Sequence, residues 1–168
     1  ITKNNIIWEK HMSDFTHLDD KGHVKMVDVT GKEKTNRTAV AQGIILMNAK
    51  TLDKITSQTV NKGNVLETAR IAGIMAAKKT SDLIPMCHPL NITNAKIDFF
   101  PDEKNNSILI KSEVSLFDRT GVEMEALTAV SVSALTIYDM CKSYDKGMKI
   151  TDICLLKKTG GKSGEYIR

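Results

Sequence analysis

The chain has 168 residues, of which 41% are hydrophobic and only 5% aromatic, and its formal net charge is +4. This length and composition are typical of one folded domain with an aliphatic core, and they argue against the aromatic platforms that stack single-stranded nucleic acid. The excess charge lies at the C-terminal end, because the stretch from Lys142 to Arg168 holds seven Lys and Arg against three Asp and Glu. Such a local excess favours one anion site, or a solvated tail, over a nucleic-acid footprint along a whole face.

The cysteine count and the apolar runs indicate where such a protein resides. Three cysteines without CxxC spacing indicate neither a disulfide framework nor a cysteine-based zinc site, and the histidines show no metal-ligand spacing. No apolar run approaches the ~18 residues of a membrane span, and no signal peptide is recognisable. We therefore expect a soluble cytoplasmic protein without a metal. We interpret residues 1–11 as an artificial extension left by cloning, and residues 12–168 as a single domain.

The first half of the chain predicts two strands followed by two helices. Residues 24–29 and 38–47 are short, apolar and partly β-branched, which is typical of strands. Residues 51–58 have apolar side chains three apart and predict a short helix. Asn64 is followed three residues later by a glutamate, a pattern typical of a capping box, and it predicts a helix over 64–79.

The second half predicts a loop, a hairpin, a long helix and a strand. Pro85 and Pro89 each remove a backbone donor, so residues 81–90 are expected to form a stiff loop without helix. The hairpin, the helix and the strand are predicted at residues 95–116, 122–143 and 150–156. Helices grouped between runs of strands predict an α+β fold, and we expect a ferredoxin-like sandwich with helices packed on one face of an antiparallel sheet.

Asp139 and Lys142 lie three residues apart on the predicted long helix, so their side chains share a face. Such a pair is either a surface ion pair worth a few tenths of a kcal/mol or a proton-transfer pair. The neighbouring residues 135–141 are mostly apolar, and an apolar environment would lower the pKa of Lys142 toward a value useful in acid–base catalysis. Spacing alone leaves both interpretations open.

Several other segments have a binding and a structural interpretation. Cys87 and His88 lie between the two prolines, which suits a preorganised binding loop, although an ordinary loop is the plain alternative. Lys62 precedes a predicted helix N-terminus, where anions are favoured, and Arg37 is either a ligand or a surface charge. The glycine-rich residues 160–164 lack the spacing and the following helix of a Walker P-loop, but their amides could still hold phosphate oxygens.

Seven segments, taken in order and spacing, resemble the MoaC family. They are MVDV (26–29), KG (62–63), TARIAG (68–73), IPMCHP (84–89), TGVEMEALT (120–128), IYDMCK (137–142) and GGKSG (160–164). Each segment alone is weakly specific, whereas seven in register are highly specific. Arg119 departs from the pattern, because members of this family often carry lysine before the TG pair.

The resemblance implies a lyase of molybdenum-cofactor biosynthesis. It implies conversion of 3′,8-cyclo-7,8-dihydroguanosine 5′-triphosphate into cyclic pyranopterin monophosphate and pyrophosphate, without a cofactor. Asp139 and Lys142 would be the acid–base catalysts, and Lys62 a further catalytic or phosphate-facing cation. The implied substrate contacts are Met86, Cys87, His88, Glu123, Met124 and Glu125, and the implied phosphate ligands are Arg37, Lys158 and Lys162. The family also implies a homo-hexamer, a trimer of dimers, with active sites between subunits.

Two other functions remain open at this point. One is a non-catalytic nucleotide- or RNA-binding module that uses Arg37 and the basic C-terminal segment, and it predicts strongly salt-dependent RNA binding. The other is a hydrolase with Cys87 as the nucleophile, which predicts rapid alkylation of that thiol. The low aromatic content and the neutrality of residues 1–141 argue against the first.

Overall fold

The structure is a computed structural model that describes residue 19 and residues 21–168. Its elements in chain order are β1 (Thr35–Leu46), α1 (Ala49–Thr56), α2 (Val65–Ala77), α3 (Thr80–Leu83), β2 (Asn94–Asp102), β3 (Ser107–Asp118), α4 (Glu123–Cys141), β4 (Lys149–Thr159) and β5 (Tyr166–Ile167). The strands form one antiparallel sheet in the order β2-β3-β1-β4-β5. The predicted α+β, ferredoxin-like fold is confirmed, with α2 and α4 packed together against the sheet.

The core lies between the sheet and the two long helices. Ala39, Ala41 and Ile45 of β1 are buried and alternate with half-buried residues, as expected for a strand with one covered face. The register places Ala39 beside Val114 and Ile45 beside Ile108, which are also fully buried. One aliphatic face therefore runs across the central strands, and α4 contacts β1, β3 and β4 on that face.

Asparagine side chains begin both α1 and α2. The Asn64 side chain accepts a hydrogen bond from the Glu67 amide, and the Asn48 side chain accepts one from the Thr51 amide. Both predicted helices are confirmed, and each end lies within two residues of its predicted position. The predicted hairpin, long helix and last strand are confirmed as well.

Gly73 lies where α2 packs tightly against α4. A Cβ atom at this position would overlap the Ser133 side chain and the end of the Ile97 side chain, and would lie 2.8 Å from the Ala129 carbonyl oxygen. Ser133 itself is fully buried, and its hydroxyl donates to the Ala69 carbonyl oxygen at 3.0 Å. The absence of a side chain at Gly73 therefore sets the distance between the two helices.

Gly73→Ala is expected to destabilise the protein. Alanine is the better helix former by about 1 kcal/mol, but the overlap with the α4 backbone opposes this gain, and overpacking costs about 1–3 kcal/mol or more. Each net kcal/mol lowers the melting temperature by about 2–4 °C in a chain of this size. Gly31→Ala is the matched control, since a Cβ there meets nothing within 4 Å. Equal melting temperatures for the two variants would contradict the close approach.

The predicted strand over 24–29 is wrong. The Asp28 carboxylate accepts a hydrogen bond from the Thr30 amide at 2.8 Å, and the Lys32 amide donates to the Val29 carbonyl oxygen at 3.0 Å. These local bonds turn the segment and compete with pairing into a sheet. The chain joins the sheet only at Thr35, three residues before the predicted start of the second strand.

Two further differences concern α3 and β5. The predicted loop over 81–90 begins with the single helical turn of α3. Proline restricts only the residue before it, so Pro85 makes Ile84 extended but leaves the preceding residues free to form the turn. The short strand β5 was not predicted, and it follows the glycine-rich segment and pairs with the end of β4. Residues 1–11, interpreted as an artificial extension, lie outside the described residues, and the single domain over 12–168 stays a prediction.

Candidate active site

Lys62, Asp139 and Lys142 form a cluster at the C-terminal end of α4, which we call the lysine–aspartate cluster. Lys142 Nζ donates to Asp139 Oδ1 at 2.7 Å, as the three-residue spacing predicts. Lys62 arrives from the connection between α1 and α2, and its Nζ lies 3.7 Å from Asp139 Oδ2 and donates to the Asp139 carbonyl oxygen at 2.9 Å. A carboxylate thus lies between two ammonium groups.

The cluster is exposed, which corrects one expectation. The side chains of Asp139 and Lys142 are 62% and 53% exposed, because the apolar neighbours Ile137, Met140 and Cys141 point into the core instead. The hydrogen bond and charge of Asp139 raise the pKa of Lys142, and those of Lys142 lower the pKa of Asp139. The predicted lowering of the lysine pKa by an apolar environment is therefore wrong, and the pair is fully ionised near neutral pH.

A basic cavity of about 720 Å³ lies at the other end of α4, and we call it the cationic cavity. Its lining contains five basic side chains and two acidic ones: Lys32, Arg37, Arg119, Lys158 and Lys162, with Glu33 and Glu123. The remaining lining is short and polar or glycine. A concave surface with this excess of cations attracts anions such as phosphate groups.

Arg37 and the glycine-rich segment build one wall of the cationic cavity. Arg37 Nε donates to the Asp118 carbonyl oxygen and Nη2 to the Arg119 carbonyl oxygen, both at 2.9 Å. Gly160 and Gly161 have positive φ angles of 89° and 77° and pack directly on Asn36 and the Arg37 guanidinium, so a side chain at either position would clash. The glycines therefore let the C-terminal segment lie flat against Arg37.

Lys158 and Glu123 connect the glycine-rich segment to the start of α4. Lys158 Nζ donates to the Ser163 hydroxyl at 2.6 Å and lies 3.4 Å from Glu123 Oε1. The Glu123 carboxylate folds back over Gly121, where a Cβ atom would overlap it. These contacts hold a lysine of β4, a carboxylate of α4 and the glycine-rich segment together at one edge of the cavity.

A second cavity of about 350 Å³ adjoins the first and is less basic; we call it the mixed cavity. It is lined by Val27, Lys32, Met86, Cys87, His88, Leu90, Thr120, Gly121, Glu123, Met124 and Glu125. Four of these residues, Lys32, Thr120, Gly121 and Glu123, also line the cationic cavity, so the two cavities are continuous. Apolar walls with a few polar groups are typical of a pocket for a small molecule.

Glu125 is the buried carboxyl group of the mixed cavity, with only 3% of its surface exposed. Burial raises its pKa to about 7; its own backbone amide partly opposes this shift, and the charge of Glu123 adds to it. Burial and the Glu125 charge also raise the pKa of Cys87, which disfavours its thiolate. The cavity thus holds a carboxyl group that can exchange a proton near neutral pH.

This carboxyl group predicts a pH dependence of stability. Because the folded chain keeps a proton that the unfolded chain loses above pH about 4.5, the free energy of unfolding falls as the pH rises from about 4.5 to 7. The loss amounts to about 1.4 kcal/mol for each pKa unit of difference. Glu125→Gln is expected to flatten this part of the profile in thermal melts between pH 5 and 8. An unchanged slope in that variant would assign the dependence to other groups.

The structure brings nine of the predicted ligands together and separates them from the predicted catalysts. Met86, Cys87, His88, Glu123, Met124, Glu125, Arg37, Lys158 and Lys162 all line the two cavities. The lysine–aspartate cluster lies sixteen residues along α4 from Glu123, roughly 24 Å away at the helical rise of about 1.5 Å per residue. One chain therefore carries two groups of predicted site residues at opposite ends of one helix.

Sequence reasoning missed nine lining residues: Val27, Gly31, Lys32, Glu33, Thr35, Leu90, Arg119, Thr120 and Gly121. Lys32 lies between the two segments predicted as strands, 24–29 and 38–47, of which the first is not a strand. It lines both cavities. Thr120 and Gly121 lie in a segment that carried the family resemblance, which was the signal available for them. Arg119 drew attention only as a departure from the family pattern.

Two general properties complete the description. No helix in the described part of the chain is long and apolar enough to cross a membrane. Within residue 19 and residues 21–168, no three His, Cys, Asp or Glu side chains gather closely enough to hold a metal ion. The candidate site residues are therefore the cations and the buried carboxyl group of the two cavities, together with the exposed lysine–aspartate cluster at the other end of α4.

The fold and these sites define a ferredoxin-like α+β protein in which a cavity lined by five basic side chains adjoins a second, less basic cavity. A family model described as the MoaC family matches residues 26–161, and the chain belongs to this family. The chain is 69% identical over 156 residues to the cyclic pyranopterin monophosphate synthase of Desulforapulum autotrophicum, covering 93% of this chain and 96% of that protein. Proteins of the same name from Desulfatibacillum aliphaticivorans and Syntrophomonas wolfei are 62% and 56% identical, covering 93% and 92% of this chain and 98% of each relative.

Proposed function

We propose that this protein is a lyase that converts 3′,8-cyclo-7,8-dihydroguanosine 5′-triphosphate into cyclic pyranopterin monophosphate and pyrophosphate in molybdenum-cofactor biosynthesis. One observation supports it above all others: in a member of the MoaC family, a cavity with five basic side chains is continuous with a pocket that holds a buried carboxyl group. The first cavity suits a triphosphate, and the second suits a guanine-derived ring.

The lysine–aspartate cluster supplies the proton transfers. Its internal hydrogen bond keeps Lys142 protonated and Asp139 ionised, so Lys142 can donate a proton to the substrate and Asp139 can accept one. Lys62 lies 3.7 Å from the Asp139 carboxylate and stabilises its charge while Asp139 is ionised. Rearrangement of the purine into a pterin requires protons to leave one ring atom and reach another, which such a pair allows.

The cationic cavity supports the phosphate chemistry. Cyclisation of the α-phosphate breaks the bond to the β-phosphate, and negative charge accumulates on the departing pyrophosphate. Arg37, Lys158 and Lys162 line the cavity and would stabilise that charge. Met86, Cys87, His88, Met124 and Glu125 would contact the ring in the mixed cavity, as the family resemblance implies.

The separation along α4 supports an active site shared between subunits of a homo-hexamer. One substrate cannot contact both groups of residues on a single chain, but the lysine–aspartate cluster of one subunit can meet the cavities of a neighbour. Large apolar residues on the surface also support assembly, since Ile71, Leu135 and Phe117 are between 55% and 59% exposed. Within this proposal the hexamer acts in the cytoplasm, where its nucleotide-derived substrate is made.

A turnover assay tests the proposed function directly. The purified protein is incubated with the cyclised nucleotide, and cyclic pyranopterin monophosphate and pyrophosphate are measured separately. We expect one pyrophosphate for each nucleotide consumed, without any redox cofactor. Failure to form the pterin, or pyrophosphate release without it, would contradict the proposal.

The two other functions are less well supported by the geometry. An RNA-binding surface requires cations spread along a face, whereas Lys32, Arg119 and Lys158 line one cavity. A cysteine hydrolase requires a thiolate, whereas burial raises the pKa of Cys87. Tight, strongly salt-dependent RNA binding without turnover would favour the first alternative, and rapid alkylation of Cys87 the second.

A further inference from the structure

We infer that Arg119 is a direct polyphosphate ligand in the cationic cavity, and that it binds the pyrophosphate part of the substrate. This inference rests on the proposed function for the identity of the substrate, but its geometry is independent of turnover. It adds a residue that neither the sequence analysis nor the family resemblance placed in the site.

The backbone of Arg119 is held on both sides. Its amide donates to the Asp118 carboxylate at 2.9 Å, and its carbonyl oxygen accepts the Arg37 Nη2 donor at the same distance. Arg119 directly follows β3, and the bond from Arg37 of the neighbouring strand β1 thereby fixes the backbone from which its side chain extends. Because this backbone is fixed, less conformational entropy is lost when the guanidinium binds a ligand.

The side chain of Arg119 is only partly satisfied by the protein. Its Nη1 donates to the Thr30 carbonyl oxygen at 2.9 Å. Its Nε is buried and, among the described residues, has no hydrogen-bond partner. A buried guanidinium donor without an acceptor is unfavourable unless an acceptor is supplied. Because Arg119 lines the cationic cavity, an anion bound there can accept hydrogen bonds from its guanidinium group.

The surrounding charges favour a polyphosphate over a neutral ligand. Glu123 is already engaged by Lys158 at 3.4 Å. The remaining lining holds four cations, Lys32, Arg37, Arg119 and Lys162, against one carboxylate, Glu33, so positive charge is in excess. The volume of about 720 Å³ is ample for two phosphate groups. A guanidinium presents its donors in a planar fork that matches two oxygens of a phosphate, which an ammonium group cannot do.

The contact with Thr30 links the same side chain to the other cavity. Thr30 lies in the turn stabilised by the Asp28 carboxylate, and Lys32 follows it and lines both cavities. Arg119 thus contacts the segment that contains Lys32, and the remaining donors of its guanidinium are left for the bound anion. This double contact explains why the segment turns here and does not add a strand to the sheet.

Calorimetric titration with inorganic pyrophosphate tests the inference on the full-length protein without turnover. We expect Arg119→Ala to weaken pyrophosphate binding by about tenfold to a hundredfold, the usual effect of losing a charge-assisted hydrogen bond. Arg119→Lys keeps the charge without the fork and is expected to be intermediate. Lys104→Ala is the matched control, because it removes one positive charge in the exposed turn at the other end of β3 and should bind like the wild type.

Loss of folding is separated from loss of binding by a second variant. Arg119→Gln removes the charge and keeps a polar side chain, and we expect a thermal melt to show it folded at the titration temperature while it binds pyrophosphate as weakly as Arg119→Ala. The variant should also show a weaker dependence of pyrophosphate affinity on salt, since one cation no longer contributes. Wild-type affinity in Arg119→Gln would overturn the inference, as would a wild-type protein that does not bind pyrophosphate.

The outcome is distinguishable from that of the proposed function. If the nucleotide is not converted but pyrophosphate binding depends on Arg119, the lyase proposal fails and the anion site stands. If the nucleotide is converted and the Arg119 variants bind pyrophosphate like the wild type, the inference fails alone.

Discussion

Lys142→Ala is expected to fold normally and to lose turnover by about a thousandfold, because general acid–base catalysis contributes roughly 10²–10⁴ to a rate. The Lys142 side chain is 53% exposed and contacts the Asp139 carboxylate, so its removal leaves the core of α4 unchanged. The loss should appear in kcat, measured as pyrophosphate release at saturating nucleotide, since the lysine moves a proton in the transition state. The melting temperature is expected to stay within a few degrees of the wild type.

Lys146→Ala is the matched control for this prediction. Lys146 is exposed four residues further along the chain, and it lies outside both cavities and outside the lysine–aspartate cluster. Both variants remove one positive charge near the end of α4, so a difference between them reports the position of the charge and not the net charge. Normal turnover in Lys142→Ala would remove Lys142 from the proposed mechanism while leaving the anion site untouched.

Mixing two inactive variants is expected to restore activity if the active site lies between subunits. Lys142→Ala disables the lysine–aspartate cluster, and His88→Ala disables the mixed cavity at the other end of α4. In a dimer of one subunit of each kind, one site combines both defects and the other combines none. After random exchange about a quarter of all sites should be intact, because half of the dimers are mixed and each has one intact site.

The chain offers a strict control for this complementation. Lys62→Ala and Lys142→Ala both disable the lysine–aspartate cluster, so a mixture of these two leaves every site defective and should stay inactive. The variants are unfolded together and refolded, or coexpressed, and turnover is compared with that of each variant alone. Absence of recovery in the first mixture, with confirmed subunit exchange, would contradict a site shared between subunits and would require another explanation for the 24 Å estimated along the helix.

The local structure of this chain followed closely from its sequence. Asn64 accepts the Glu67 amide as the capping-box pattern predicts, and the three-residue spacing of Asp139 and Lys142 does produce a hydrogen bond of 2.7 Å. Such features depend on residues a few positions apart, and the helix or strand geometry alone brings those residues together. The same patterns, with the family resemblance, indicated nine of the residues that line the two cavities and the glycine-rich segment that contributes Gly161 and Ser163.

Features that depend on competition between local and distant contacts were predicted less well. Residues 24–29 have the composition of a strand, but the Asp28 carboxylate binds the Thr30 amide and Arg119 binds the Thr30 carbonyl oxygen. The pKa of Lys142 was expected to be lowered by apolar neighbours, yet those neighbours face the core and the lysine faces solvent. Neither outcome can be derived from nearby residues, because each depends on which face of an element the rest of the chain covers.

The sequence by itself determined the long helices, the four long strands, the fold class and the identity of most chemical groups, since these follow from periodicity, capping and the order of the motifs. Only the tertiary structure decided how those groups are arranged. Packing of α4 along the sheet places the lysine–aspartate cluster at one end and the cavities at the other. It also places Arg119, whose buried Nε has no hydrogen-bond partner among the described residues, in the lining of the cationic cavity. Helix length and burial set these relations, and both are properties of the folded chain as a whole.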